Sequence, residues 1–281
     1  MVGMRAIAFA CSLMAMLTMV GLLLWNLGSF STDSSLTRIL QTNQIRVGYA
    51  FEPPFSFANS TGEVTGESVE ITKMVAKELG ITKIVWVQMP FDTLISELQL
   101  GHIDMIASGM FITTDREHQI AFSSPTFRVQ GGLLVRKDNP LKLQTLAELV
   151  ENKRIKIAVI SGAVEGEHLR DSGVEHDRIV IVPDASSGRA AVLSGLVDGL
   201  ALSSATVRWM ALEDPQKQLE SLRIRDLYHR DYERGGLGMR KQDRQLREAV
   251  NAALAKIIGS DDHWQAIKSF GFSPDEVYSG R

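Results

Sequence analysis

Thiol chemistry is all but absent from this chain: its 281 residues include one cysteine, Cys11. Cys11 lies inside an apolar run near the N-terminus. The remainder can therefore form neither a disulfide nor a thiolate metal site, and core burial must supply its stability. Histidine is equally uninformative. The six, at 102, 118, 168, 176, 229 and 263, form no His-x-x-x-His pair, so no metal site is expected. The glycine-rich "GGLG" at 235–238 lacks the G-x-G-x-x-G pattern, and no G-x-S-x-G, Walker or kinase motif occurs. Serine, threonine and glutamate are plentiful, but none has a histidine partner visible in the sequence, and no cofactor is expected. A strong excess of either charge is also missing. A net charge of −3 gives no electrostatic reason to expect a nucleic-acid partner.

A long apolar run occurs once. Arg5 precedes the uncharged stretch 6–25, "AIAFACSLMAMLTMVGLLLW", and the polar tract "NLGSFSTDSS" follows. A basic start with an apolar run reads as a secretory signal. The run is also close to bilayer-spanning length, so a cleaved signal and a retained anchor both remain open. There is no obvious A-x-A site, and cleavage after Ser29 is compatible with the pattern. A lipoprotein signal would place its cysteine at the end of the run, whereas this run continues past Cys11. Residues 1–35 are read as this segment, and export of the rest follows.

From Thr37 onward strand and helix patterns alternate. "IRVGYA" (45–50), "IVWVQ" (84–88) and "IDMIAS" (103–108) read as strands. Between them, "SVEITKMVAKEL" (68–79) carries apolar residues at 71, 74, 75 and 79, one helical face, with Gly80 as the stop. "FDTLISELQL" (91–100) is a second helix. This βαβαβ order predicts an α/β fold, a parallel sheet covered by helices. A second set begins near Gly131 with "GLLVRK", "IKIAVISG", "RIVIVP" and "VDGLALSS" as strands among helical segments. Last comes "DRQLREAVNAALAKIIG", apolar at 246, 250, 254, 257 and 258, with Asp243 placed to cap it and Gly259 to end it.

The stretch "SGMFITTDREHQIAFSS" (108–124) puts a lone cation, Arg116, five residues after a ring, Phe111. Here the chain resembles the extracytoplasmic solute-binding proteins of the polar amino-acid ABC-transporter family (family 3). The match is carried in family order by "IRVGYAFEPPFSFANSTGEVTGESVEI", "FDTLISELQLGHIDMIASGM", "ITTDREHQIAFSSPTF", "IAVISGAVEGEH", "AAVLSGLVDGLAL" and "GLGMRKQDRQLREAVNAALAKI", over about 38–271. The resemblance implies a two-lobed periplasmic-binding-protein fold (type II). Lobe 1 would be 36–128 plus 231–281 and lobe 2 would be 129–230, with the ligand in the cleft between them. It also implies a monomer at the periplasmic or extracytoplasmic face, delivering to an inner-membrane ABC permease. Arg116 would grip a ligand carboxylate with its planar fork, a bidentate role that lysine fills poorly.

The departures from the family narrow the ligand. Members that bind α-amino acids hold the ammonium with an aspartate where this chain has Ser203. A hydroxyl residue five before the arginine is replaced by Phe111, and an aromatic two before the "PF" pair is replaced by Glu52. With Phe55 and Phe91, three rings are expected to cage a diffuse cation beside Glu52. Gly109 and Val164 complete the expected wall. Because Ala163 and Val164 stand where relatives carry hydroxyls, backbone N–H groups of that turn would have to help hold the carboxylate. The pattern is similar to the ectoine- and hydroxyectoine-binding proteins, whose ligand is a cyclic amidinium carboxylate. It extends to "PDASSGRAAVLSGLVDGLALSSATVRWMA" and "FGFSPDEV". The alternatives are a receptor for a polar amino acid or betaine-like solute, an enzyme of the cyclohexadienyl dehydratase kind using Glu52 as proton donor, and a membrane-tethered sensor module.

Overall fold

The computed structural model describes residues 34–228, 230–273 and 275–277. The N-terminal apolar run lies outside them. Among the described residues, no helix is long and apolar enough to cross a membrane. Residues 35–281 form one compact unit.

The first half of the unit runs α1 (Ser35–Thr42), β1 (Gln44–Tyr49), β2 (Phe57–Ala58), β3 (Val64–Thr65), α2 (Glu67–Glu78), β4 (Lys83–Gln88), α3 (Leu94–Gln99), β5 (Met105–Ile106), α4 (Thr114–Gln119) and β6 (Ala121–Phe122). It continues with β7 (Phe127–Val129), β8 (Gly131–Arg136), α5 (Leu146–Glu151), β9 (Ile157–Ile160), α6 (Glu165–Asp171), β10 (Ile179–Val182), α7 (Ala185–Ser194), β11 (Gly199–Ser203), α8 (Ser204–Leu212) and β12 (Leu219–Arg223). The chain then returns through β13 (Glu233–Gly235) and β14 (Gly238–Met239) to α9 (Arg244–Ile257) and α10 (Asp261–Ile267).

Two five-stranded sheets result, ordered β4-β1-β5-β14-β6 and β10-β9-β11-β8-β12. They share a plan. In each, three parallel strands come first, and the next two strands pair antiparallel. β9 and β11 are buried along their whole length, which suits strands covered on both faces. β7 and β13 pair antiparallel as a ribbon where the chain crosses between the sheets. Gly235 in that ribbon has no alternative residue: a Cβ there would lie 1.9 Å from the Phe127 ring. β14 enters the middle of the first sheet only after the second is complete.

The helices follow the apolar faces. α2 buries Val69, Ile71, Val75 and Ala76, and α9 buries Leu246, Val250, Leu254 and Ile257. Together with β1, both contribute to one core around Val47, Met105 and Met239. Gly80 and Gly259 follow their helices at φ of 71° and 83°, the left-handed conformation that ends a helix. Asp243 differs from expectation. It occupies the N-cap of α9, but its carboxylate makes no capping bond. It is drawn instead to Arg240 Nε at 2.8 Å and to the Ser35 hydroxyl at 2.6 Å, because a charged partner outbids a backbone amide. The expected helix at 91–100 opens as a 3-10 turn, Phe91–Thr93, and the strand expected over 103–108 pairs only at Met105–Ile106.

Candidate ligand-binding cleft

The ends of parallel strands converge on one point. Glu52 follows β1, Phe91 follows β4, and Gly109 and Phe111 follow β5. From the other sheet, Ala163, Val164 and Glu165 follow β9, and Leu202 is the last residue but one of β11. These residues and Arg116 enclose a cavity of about 20 Å³, the size of one water or little more. Open α/β sheets place ligands at the carboxyl ends of their strands for this topological reason. A second cavity of about 340 Å³ at the cleft mouth shares Glu52 and Phe91 with the first.

Arg116 is the centre. Thr113 caps α4 by accepting the Arg116 backbone N–H, which fixes the helical turn under the side chain. The side chain is 8% exposed. Its Nη1 donates to the Phe111 carbonyl and its Nη2 to the Gly162 carbonyl, each at 3.0 Å. Its Cζ lies 5.3 Å from the Phe91 ring centroid. A guanidinium has five donors in a plane, so these two bonds orient the fork without exhausting it. Burial lowers its pKa, and Glu165, Glu52, Glu233 and Glu167 act against that.

Carboxylates surround the cation. Glu52 is half-buried as a residue, but its carboxyl end is enclosed. Burial and the charge of Glu165 push its pKa up to about 8, against the Thr206 hydrogen bond and Arg116. At neutral pH it holds its proton. Glu165 is 3% exposed and accepts the Tyr228 hydroxyl at 2.7 Å. Burial raises its pKa too, opposed by Tyr228 and by its own backbone N–H. Tyr228 is in turn pushed up by burial and by Glu165, and its ring meets Phe111 edge-on at 5.6 Å.

Of the expected site residues, Glu52, Phe91, Gly109, Phe111, Arg116 and Val164 line the cavity; Phe55 and Ser203 do not. Phe55 stands one layer back, 1% exposed, with its ring 4.6 Å from Phe127 and 5.4 Å from Phe272. Gly109 is the reason: at φ 61° it has no Cβ, and one placed there would lie 2.5 Å from the Phe55 ring. Two of the three expected rings therefore line the cavity, and the third packs behind it on Phe127 and Phe272. Ser203 is the N-cap of α8, accepting the Thr206 N–H at 3.1 Å, and its hydroxyl pairs with that of Thr206 at 2.9 Å. Thr206 donates to Glu52 Oε1 at 3.0 Å, so Ser203 acts on Glu52 through Thr206. In the 162–165 turn the Ala163 N–H is spent on the Ile160 carbonyl at 3.1 Å, so that group is not available to a carboxylate, and the Gly162 carbonyl faces Arg116.

The sheets also touch directly across the cleft. Ser161 Oγ donates to Asp92 Oδ2 at 2.7 Å, and Gly162, at φ 75°, lies so close that a Cβ would be 2.9 Å from that of Asp92.

Sequence reasoning missed Glu165, Leu202, Tyr228 and Thr206. Thr206 had a signal, three residues after a serine at a strand–helix junction, the spacing of an N-cap pair. Glu165 resembles any acid in a first helical turn, and its partner Tyr228 is 63 residues away.

Known proteins resemble the chain over most of its length. A sequence model of the bacterial extracellular solute-binding proteins, family 3, matches residues 45–270. A probable amino-acid ABC transporter periplasmic-binding protein, y4tE of Sinorhizobium fredii, is 26% identical over 247 residues, covering 86% of this chain and 82% of that one. The histidine-binding periplasmic protein of Escherichia coli is 29% identical over 265 residues, 90% of this chain and 95% of that one. Among solved structures, EhuB in complex with hydroxyectoine superposes with a TM-score of 0.79 at 27% identity, covering 86% of this chain and 93% of that one.

Proposed function

The chain belongs to the bacterial extracellular solute-binding proteins of family 3, and as the substrate-binding component of an importer of the amino-acid ABC type, we propose that it captures ectoine or 5-hydroxyectoine. Its relatives are solute-binding proteins, and it is one of them rather than an enzyme. The proposed lobes are 36–128 with 231–281, and 129–230. The proposed setting is the periplasm, with an ABC permease as partner.

The observation that carries the ligand reading is the pairing, in one small cavity, of a buried guanidinium with Glu52 and the rings of Phe91 and Phe111. Arg116 takes the ligand carboxylate. The rings suit a positive charge that is spread and weakly hydrated. Glu52 ionises when that charge arrives. A solute enters as the Ser161–Asp92 and Thr206–Glu52 bonds part, and closure then dries the cleft and strengthens each charged contact. A compact α-ammonium fares worse, because Ser203 is committed to α8 and supplies no charge. The hydroxyectoine complex of EhuB supports the same ligand class.

Calorimetric titration against ectoine, hydroxyectoine, betaines, glutamine, histidine and arginine tests this. Ectoine or hydroxyectoine should bind at least about 100-fold more tightly than the amino acids, about 2.7 kcal/mol. A micromolar complex with a common amino acid and no response to ectoine would overturn the reading. That outcome defines the second reading, a receptor for a polar amino acid; Glu165 favours a cationic one, because two carboxylates facing one guanidinium match a ligand with one carboxylate and two cations.

The wall and its support separate by mutation. Phe91→Leu and Phe111→Leu should each weaken binding by about 0.5–2 kcal/mol through loss of the π face. Phe55→Leu should lower the melting temperature and leave affinity within about twofold, because that ring packs on Phe127 and Phe272. Equal losses of affinity at all three positions would return Phe55 to the wall.

A further inference from the structure

We infer that Glu165, held by Tyr228, is a specificity-determining residue that accepts a second N–H from the ligand's cation, so that the cleft reads a cyclic amidinium along two divergent edges. The inference rests on the ectoine reading and adds to it a contact that reading did not require.

The chemistry of the cation asks for two acceptors. In a six-membered cyclic amidinium the two nitrogens flank a carbon that carries a methyl group. The N–H bonds leave the ring on either side of that methyl, about 120° apart as trigonal geometry dictates. One carboxylate cannot reach both. A site with Glu52 alone would leave one N–H facing an apolar wall, and an unpaired buried donor is costly.

The structure supplies a second acid where it is needed. Glu165 borders the same cavity as Glu52 but comes from the other side, opening α6 just after β9 of the second sheet. Its carboxylate is fixed from behind: Tyr228 donates to Oε1 at 2.7 Å, and Tyr228 is itself held between Phe111 and His168, at ring distances of 5.6 and 5.4 Å. A buried acid whose only role was packing would be paired with a cation of its own. Glu165 instead shares the cavity with Glu52 and a single guanidinium, and the two acids outnumber Arg116 there. Glu165 comes three residues after Gly162, whose carbonyl accepts Arg116 Nη2 at 3.0 Å, so it stands on the Arg116 side of the cavity, where the ligand carboxylate is placed. Glu165 therefore meets the N–H beside the carboxylate-bearing carbon, and Glu52, towards the mouth, meets the other.

Charge balance follows. Glu52 and Glu165 oppose each other's ionisation in the buried cleft, with Thr206, Tyr228, Arg116, Glu233 and the Glu165 backbone N–H as the other groups facing them. A cation placed between them favours their ionised forms, so binding releases protons to the buffer.

The test is calorimetry on the folded protein in two buffers of different ionisation enthalpy, using ectoine and ectoine methylated at the nitrogen beside the carboxylate-bearing carbon. Wild type should bind ectoine with proton release and lose about 10-fold or more on the methylated probe. Glu165→Gln should lose about 10–100-fold for ectoine, release fewer protons, and discriminate little between the two probes. Glu165→Asp, which withdraws the acceptor by one methylene but keeps the charge, should fall between. Ectoine binding within about twofold of wild type in Glu165→Gln, or in Glu165→Asp should the glutamine variant not fold, overturns this inference and leaves the ectoine reading standing. Retained discrimination between the probes in Glu165→Gln also overturns it. Absence of ectoine binding to wild type, with arginine titrated in parallel, overturns the ectoine reading and this inference together.

Discussion

Arg116→Ala is expected to abolish measurable ligand binding while the protein stays folded. The ligand carboxylate would enter a dry cleft with no cation to meet it, a loss on the order of 2–5 kcal/mol. The fold should survive because the acids around Arg116 can respond: burial already holds the pKa of Glu52 at about 8, and Glu165 is raised as well. Without the guanidinium, which lowers both, the two pKa values rise further, and this disfavours the unpaired charge that would otherwise destabilise the site. Arg116→Lys keeps a charge but loses the planar fork and the paired bonds to Phe111 and Gly162, so it should recover only part of the affinity. Calorimetry measures the loss and thermal unfolding checks the fold. Unchanged affinity in the alanine variant would remove Arg116 from the site.

Asp104→Ala should produce the largest loss of stability. Asp104 is fully buried at the end of the loop before β5 and gathers three arginines. Arg46 binds it through Nη2 at 2.7 Å and Nε at 3.0 Å, Arg38 through Nη2 at 2.5 Å, and Arg240 through Nη2 at 3.4 Å. Burial alone would raise its pKa, but the Arg46 hydrogen bonds and the charges of Arg38 and Arg46 outweigh burial and lower it. Removing one partner of a buried ion pair costs about 3–5 kcal/mol. The lower end applies here, because Arg38 and Arg46 are 42% and 32% exposed and can rehydrate. Arg240 cannot, although Asp243 at 2.8 Å and the carbonyls of Leu98 and Ile103 at 3.0 and 2.6 Å still hold it. For a chain of this size, about 3 kcal/mol lowers the melting temperature by roughly 6–12 °C. The pH dependence has a definite sign. With the folded pKa below the unfolded one, the stabilisation is complete above the ordinary carboxylate range near 4 and is lost as pH falls through the depressed folded value. The gap between wild type and variant should therefore shrink in acid, and a constant gap would contradict the pairing.

The alternation of strands and helices was legible because burial is periodic. Ile71 and Val75 on α2, and Leu246, Val250 and Leu254 on α9, announce their faces without tertiary information. The short elements were harder. β6 and β14 pair over two residues each, too few for any period to register, yet they complete the first sheet. The cleft was legible where chemistry departs from pattern: Glu52, Phe111 and Arg116 stand out as odd residues on turns. Phe55 stood out equally and lies behind the wall, because sequence does not tell which side of Gly109 a ring takes. Glu165 did not stand out at all. An acid in the first turn of a helix looks solvated until Tyr228 is seen covering it. Side chains that owe their role to a distant partner have no local signature.

The place of β14 has a consequence for the order in which the molecule can be made. β14 pairs with both β5 and β6, yet it leaves the ribosome after everything from β7 to β12. The second sheet is drawn from one unbroken stretch of chain and can close as soon as it has emerged. The first cannot: β5 and β6 wait with an unsatisfied edge each, the kind of edge that invites foreign strands. An exported chain would cross the membrane with that gap open and would seal it only near its C-terminal end, when Gly238 and Met239 arrive. A chain interrupted between Arg223 and Gly238 carries a finished second sheet beside a first that can never be completed.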